Sequence, residues 1–407
     1  MTHLTRRDFT LGLAGAIVLT AAGCAAPDSG GGKPAAQPGA NIPDKPTKPA
    51  NLTILDVAGN LQLTQTMIDE FVQKNPDTIA KVTYSKAPAP ELAGKIKAQQ
   101  DANQVQIQVV LTGTDGLAAG IAKSLWVKTT DYTAKLPDLG KIYQDPAAKM
   151  QELAQNQGIA VVYYPSGPLY EYNGKAVTDP PTSPQALLDW AKAHPNRFQY
   201  ADPANSGPGR TLLMGLPYLL GDSNPKDPDK GWDKTWAYLK DLGQYVPYYA
   251  SGTTETMKNL ASGSVDMIAS TTGWYINPRA LKTVPAEMKV GHFDNMTWVT
   301  DAQYVCIPNG VDTDTLAAVF ALVRWMLTPE QQAKAYDKAY FYPGPAVKGV
   351  TLSMAPKESQ DVVAQYGVPE FDQWIDKFPK QPSLPADKQV AAFDKWNREI
   401  GAGKKKS

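Results

Sequence analysis

Cysteine and histidine are scarce in this 407-residue chain: the cysteines are Cys24 and Cys306, and the histidines are three. His194 and His292 stand far apart and the third, His3, lies at the very front, so no histidine cluster supports a metal site or a Ser-His-Asp arrangement. Cys306 falls inside the alternating apolar stretch "YVCIP" with no histidine nearby, which reads as a core thiol rather than a nucleophile. Net charge is also lacking, with 40 basic against 40 acidic residues, and nothing in that balance recruits nucleic acid. No phosphate-binding glycine loop is present, because "GPGRTLLMG" has neither the spacing nor the lysine of one. No internal repeat of fixed period occurs. The apolar run at residues 11–19 falls short of the about 20 residues that span a bilayer.

That run has a context. In "LTRRDFTLGLAGAIVLTAAGC" the pair Arg6 and Arg7 precedes the apolar stretch, and small residues lead to Cys24. Basic, apolar, small is the order of a cleaved export signal. "TRRDFTL" resembles a twin-arginine signal and "TAAGC" resembles a bacterial lipoprotein box, although Ala21 stands where leucine is commonest. The expectation is a signal peptide over 1–23 and a lipid on Cys24. Residues 24–50, "CAAPDSGGGKPAAQPGANIPDKPTKPA", are rich in Pro, Gly, Ala and Lys with Ile42 as the one large apolar residue, so they are expected to form a disordered tether. The closing residues 401–407, with "GKKKS", are expected to be a solvated basic tail.

The body between them alternates strand and helix. "NLTILDVA" is β-branched, and in "LQLTQTMIDEFVQKNP" the residues Leu63, Met67, Ile68, Phe71 and Val72 share one helical face. "AKVTYS", "APELAGKIKAQQDA", "VQIQVVL" and "TDGLAAGIAKS" continue the alternation, which predicts a parallel, doubly wound sheet. A second series runs through "IAVVYY", the helix "SPQALLDWAKAH" opened by Ser183 and Pro184, "RFQYA", "RTLLMGLPYLLG", "GWDKTWAYLKDLG" and "VDMIAS". The length exceeds one ordinary core and predicts two α/β lobes joined by a hinge, with a ligand cleft between them.

In open α/β sheets ligands sit beyond the carboxyl ends of the strands. Four Gly, Ser, Thr or Asn loops fall there: "AGN" with Gly59 and Asn60, "TGTDG" with Thr114 and Asp115, "NSGPGR" with Ser206, Gly207, Gly209 and Arg210, and "STTGW" with Thr272 and Trp274. Taken singly, each is equally an ordinary strand-to-helix turn. Ser206, Gly207 and Gly209 are predicted to open a helix whose free N–H groups favour a carboxylate or phosphate, with Arg210 as a bidentate partner or else pointing to solvent. Trp274, Tyr275 and Trp298 could stack on a sugar or heterocycle, or simply pack.

"LASGSVDMIASTTGWYI" and, further on, "DTDTLAAVFALVRWMLTPEQQAKAYDKAYFYPGPAV" resemble the corresponding stretches of bacterial extracellular solute-binding proteins. The resemblance implies the type II periplasmic-binding fold, in the branch serving importers of polyamines, ferric iron, thiamine and sugars. It implies lobe 1 over 51–162 plus about 300–335 and lobe 2 over about 163–299 plus 336–400, with crossings near 161–166, 295–301 and 327–342. It implies a monomeric, non-catalytic solute receptor without a cofactor, partnered by an ABC permease and ATPase. In the polyamine branch, Trp and Asp flank the second crossing, and "WVTD" supplies Trp298 and Asp301, while the tryptophan expected after "MIAS" is missing. In the ferric branch two tyrosines are adjacent after that strand; here Trp274 and Tyr275 stand there, one phenolate short. An anionic solute is thus favoured over a polyamine-like cation. Two further readings are a thiaminase-like enzyme using Cys306 and a cell-wall-binding lipoprotein.

Overall fold

The computed structural model describes residues 35–57 and 59–404. The export segment, Cys24 and the last three residues lie outside the described residues. Among the described residues ten strands build two sheets: β1 (Ala50–Asp56), β2 (Ile79–Lys86), β3 (Val109–Thr112), β4 (Ile159–Gly167), β5 (Leu169–Tyr172), β6 (Phe198–Gln199), β7 (Met267–Ser270), β8 (Lys289–His292), β9 (Trp298–Cys306) and β10 (Lys380–Pro382). The first sheet has the order β10-β9-β3-β1-β2, with β4 also paired to β9; the second has the order β6-β7-β5-β8.

Each sheet carries its own hydrophobic core. One core gathers side chains from Ile42 to Tyr164 and from Ala302 to Val347. The other gathers Leu169 to Val299 and Tyr336 to Ile400. The molecule thus has two α/β lobes. The chain passes between them where β4 ends, within β9 at residues 299–302, and through residues 335–347, whose side chains alternate between the two cores.

Local rules account for most elements. The helix Leu61–Lys74 buries Leu63, Met67, Ile68 and Phe71 on the face expected from their spacing. The helix Pro184–Ala193 starts where Ser183 Oγ accepts the Ala186 N–H at 3.1 Å, with Pro184 in the first turn, where its missing N–H costs nothing.

Three expectations need correction. The sheets are mixed rather than parallel: β1 runs parallel to β2 and β3, but β9 is antiparallel to β3 and β4, and β5 is antiparallel to β7 and β8. β4 and β9 carry the chain out of and back into lobe 1, so they run oppositely. The expected tether is packed from Ala36 onward. Ala36 N–H bonds Val311 O at 2.9 Å, Ile42 is buried in the lobe 1 core, Asp44 pairs with Lys135, and Thr47 Oγ1 donates to Asp314. One fully buried isoleucine contributes about 1.5–3 kcal/mol, and proline loses little backbone freedom on docking, so a Pro-rich strap can be held by few contacts. The tail is likewise not all solvated, since Gly401 is buried and Lys404 O accepts the Tyr249 N–H at 2.9 Å. Among the described residues no helix is long and apolar enough to cross a membrane.

Candidate functional site

A cavity of about 510 Å³ lies where the two lobes meet. Asp115 and Gln303 line it from lobe 1, Ser206, Gly207, Thr253 and Lys258 from lobe 2, and Tyr340 and Phe341 from the third crossing. The strands end at this place and helices begin. First-turn residues of the helices Ala89–Asp101, Thr114–Ala122, Gly207–Leu219, Thr253–Ala261 and Thr272–Ala280 all contribute to the wall.

An aromatic wall crosses the cavity. Trp274 meets Tyr340 edge-on at 5.5 Å, Tyr340 leans on Phe341 at 4.4 Å, and Phe341 stacks on Tyr164 at 4.6 Å with the rings 9° apart. It runs from a lobe 2 helix to the lobe 1 end of β4, and offers an apolar face to a planar or sugar-like body.

Behind this wall is a buried charge network. Arg210 is 4% exposed, and its Nη1 lies 3.1 Å from Asp115 Oδ2 while its Nη2 bonds Asp301 Oδ2. Asp301 is fully buried and also accepts from Thr114 Oγ1 at 2.8 Å, Tyr164 Oη at 3.0 Å and the Ala302 N–H at 2.9 Å. Burial alone pulls the Arg210 guanidinium down, but the carboxylates of Asp301 and Asp115 hold it above its ordinary value. Burial, reinforced by Asp301, pushes the Tyr164 phenol well up, so it stays a neutral donor. One guanidinium between two carboxylates leaves the network with a net negative charge. Two polar atoms in it have no partner among the described residues, Arg210 Nε and Gln303 Oε1, both on residues that line the cavity.

The structure brings together Asp115, Ser206, Gly207, Arg210 and Trp274 on the cavity wall, with Thr114 and Asp301 immediately behind. Ser206 opens its helix as expected, its Oγ accepting the Gly209 N–H at 3.1 Å. Gly209 serves packing, because a Cβ there would stand 2.3 Å from Ala201 O. Gly59 has φ +75° and approaches Tyr340, whose Oη would be 2.7 Å from a Cβ. Asn60 is buried at the start of its helix and accepts from Thr64 Oγ1 at 3.0 Å. Thr272 Oγ1 donates to Tyr342 O at 2.8 Å, fastening its helix to the third crossing.

Two aromatic candidates lie elsewhere. Tyr275 turns away from the cavity, donating to Met288 O at 3.0 Å beneath the Arg279 guanidinium. Trp298 is fully buried in the lobe 2 core and donates to Trp374 O at 3.0 Å. It therefore forms no ammonium box with Asp301, which belongs to the Arg210 network. Cys306 is buried in the lobe 1 core on β9, and burial pushes its thiol up, away from the reactive thiolate.

Sequence reasoning misses Gln303, Tyr340, Phe341 and the loop "SGTTETMK" at 251–258. The loop carries the same small, polar residues ahead of a helix as "NSGPGR" and "STTGW", and that is the signal that could have found it. The preceding pair Tyr248-Tyr249 obscures it by reading as a strand end. Tyr340 and Phe341 become wall residues only because the third crossing returns past the cavity.

The chain belongs to the bacterial extracellular solute-binding protein family, whose sequence profile matches residues 66–364. Among curated proteins no sequence matches it. Solved structures of the same fold include a putative spermidine/putrescine ABC transporter protein from Listeria monocytogenes, at 16% identity and TM-score 0.59, covering 86% of this chain and 99% of that one. The periplasmic binding protein AfuA from Actinobacillus pleuropneumoniae, solved with fructose-6-phosphate bound, is similar at 19% identity and TM-score 0.61, over 87% of this chain and 99% of that one. A periplasmic thiamin binding protein is similar at 14% identity and TM-score 0.59, over 89% of this chain and 99% of that one.

Proposed function

We propose that this protein is the capture component of an ABC importer: it takes a small polar solute into the cavity between its lobes, closes by a hinge motion and presents the closed form to a membrane permease. The observation that carries the reading is the position of the cavity. Its wall takes residues from lobe 1, from the helix starts of lobe 2 and from the third crossing, so a bound solute would contact both lobes at once. Such a ligand would stabilise the closed state by its differential affinity, with rotation taken up where the chain passes between the cores, at β4, β9 and residues 335–347. A lipid on Cys24, after cleavage of a twin-arginine signal, would keep this receptor beside its importer. The family relationship supports binding rather than turnover.

The test is a solute screen by thermal shift, followed by small-angle scattering. A true ligand at about a hundredfold excess over Kd stabilises the protein by about 2.7 kcal/mol and shrinks its radius of gyration. A ligand that stabilises without compaction would count against hinge closure. Fatty-acid labelling of the unaltered protein, absent from Cys24→Ala, tests the anchor. Undiminished export after Arg6 and Arg7 are changed to Lys would remove the twin-arginine route.

A further inference from the structure

The third passage between the lobes holds two adjacent residues, Lys338 and Ala339, at φ 45° and 58°, in the left-handed region, and neither is glycine. A Cβ crowds the following carbonyl oxygen there, so such residues persist only where their neighbours over-determine them. A second pair of this kind, Gln155 and Asn156, closes a turn inside lobe 1. At Lys338 most of the restraint comes from lobe 2. Ser359 Oγ accepts the Lys338 N–H at 3.2 Å, Asn277 Nδ2 donates to Lys338 O at 3.1 Å, and Lys338 Nζ pairs with Glu358 at 2.9 Å. Lobe 1 adds Gln62, hydrogen-bonded to the carboxyl of Asp337. The next aromatic residue, Tyr340, is wedged between glycines of opposite lobes. At Gly59 of lobe 1 a Cβ would stand 2.7 Å from Tyr340 Oη, and at Gly273, in the first turn of a lobe 2 helix, a Cβ would stand 1.9 Å from Tyr340 O. Something must move before either position can accept a side chain. The Tyr340 ring also lines the cavity, edge-on to Trp274. One short segment thus meets both lobes and the space that a solute enters.

Resting on the solute-receptor reading above, we propose that residues 337–340 are a strained coupling turn: the left-handed pair holds strain while Tyr340 is gripped by both lobes, releases it when the lobes part, and so sets how readily the receptor opens. Hinges concentrate their φ/ψ change in a few residues, and those in the least favourable conformation gain most by changing it. The contacts to Asn277, Glu358 and Ser359 travel with lobe 2, whereas those to Gln62 and Gly59 are remade when lobe 1 rotates away. Tyr340 is the positioning residue of the device. A solute that fixes its ring fixes the turn, and with it the grip of both lobes.

Lys338→Gly and Lys338→Ala test the strain. Both lose the ammonium that pairs with Glu358, and they differ in their tolerance of the left-handed region. In urea titrations the glycine variant should show an unfolding constant about two- to fivefold smaller than the alanine variant, despite the greater freedom of glycine in the unfolded chain. Spin labels on Lys95→Cys and Ser262→Cys, exposed positions in lobes 1 and 2, report the interlobe separation in a Cys24→Ala background with no solute added. Lys338→Gly should shift the populations by a similar factor towards the separation at which Tyr340 is gripped. Gly273→Ala and Gly59→Ala should shift them the other way, and Tyr340→Phe, which removes the Oη that Gly59→Ala meets, should restore part of the second shift. Equal unfolding of the glycine and alanine variants would remove the strain and with it the proposal. Greater stability of Lys338→Gly with separations unmoved in every variant would leave a strained turn that couples nothing, and overturn the proposal as well. Neither result touches the receptor reading, which the solute screen decides; separations that respond while every solute is silent would uphold the turn and overturn the receptor.

Discussion

Arg210→Met keeps the length of the side chain and removes its charge, and so isolates what the buried network does for the fold. In the parent, Asp301 at 0% and Asp115 at 9% side-chain exposure share one guanidinium. Without it, the fully buried Asp301 carboxylate and the Asp115 carboxylate on the cavity wall both lose their counter-charge. Removing one partner from a buried ion pair costs about 3–5 kcal/mol, and the loss here belongs at the upper end because two anions are stranded rather than one. Unfolding entropy near 2.1 cal/mol/K per residue over roughly 370 described residues gives about 0.8 kcal/mol per degree, so the midpoint should fall by about 4–6 °C. Adding Asp301→Asn to Arg210→Met should return part of that loss, because it removes one stranded charge while an amide oxygen can still accept from Thr114 Oγ1 and the Ala302 N–H. Urea titrations of parent, both single variants and the double variant close a cycle whose coupling should lie near the top of the roughly 0.5–3 kcal/mol seen between touching residues. A single variant within about 0.5 kcal/mol of the parent, or a double variant whose losses simply add, would refute the network's role.

Asp337, in the third crossing, has its carboxyl pushed up to about 6 from an ordinary value of 3.8, first by burial and only partly offset by Lys338 and a hydrogen bond from Gln62. The folded state then holds a proton the unfolded chain has released, so stability falls as pH rises between about 4 and 6 and stays flat above, by about 2–3 kcal/mol in all. Asp337→Asn should flatten that slope in urea midpoints taken across the window; an unchanged slope would assign it to other groups. Trp298→Ala should cost about 3–5 kcal/mol, as a buried core truncation does, whereas Trp274→Ala should leave stability nearly intact and remove most of the ligand-induced fluorescence change. In Cys24→Ala protein, Cys306 should ignore a thiol reagent until denaturant is added, and rapid reaction under native conditions would contradict its burial.

What is legible in the sequence is local. Ser183 and Ser206 are caps because a hydroxyl sits three residues ahead of a free N–H, a relation confined to one turn of chain. The α/β alternation follows from periodicity in the same way. Arg210 shows the opposite case. Whether it faces solvent or solute depends on Asp301, 91 residues away, and on Asp115 in the other lobe, pairings that spacing cannot express. Trp298 and Trp274 look alike as tryptophans near strand ends, yet one fills a core and the other a wall, since β9 runs its first residues through lobe 2 before entering lobe 1. The strap at 36–49 escapes a reading by composition, which weighs a whole segment, whereas docking depends on where a single isoleucine falls.

That strap also divides the mechanical labour of the molecule. Its attachments are to Val311, Lys135 and Asp314, and its buried Ile42 joins the core of the same lobe. A pull arriving from the front of the chain is delivered into lobe 1, and none of the three interlobe passages lies on that route. On the anchored-receptor reading proposed above, lobe 1 would be the stator and lobe 2 the moving jaw, so tension on the strap would not have to oppose closure.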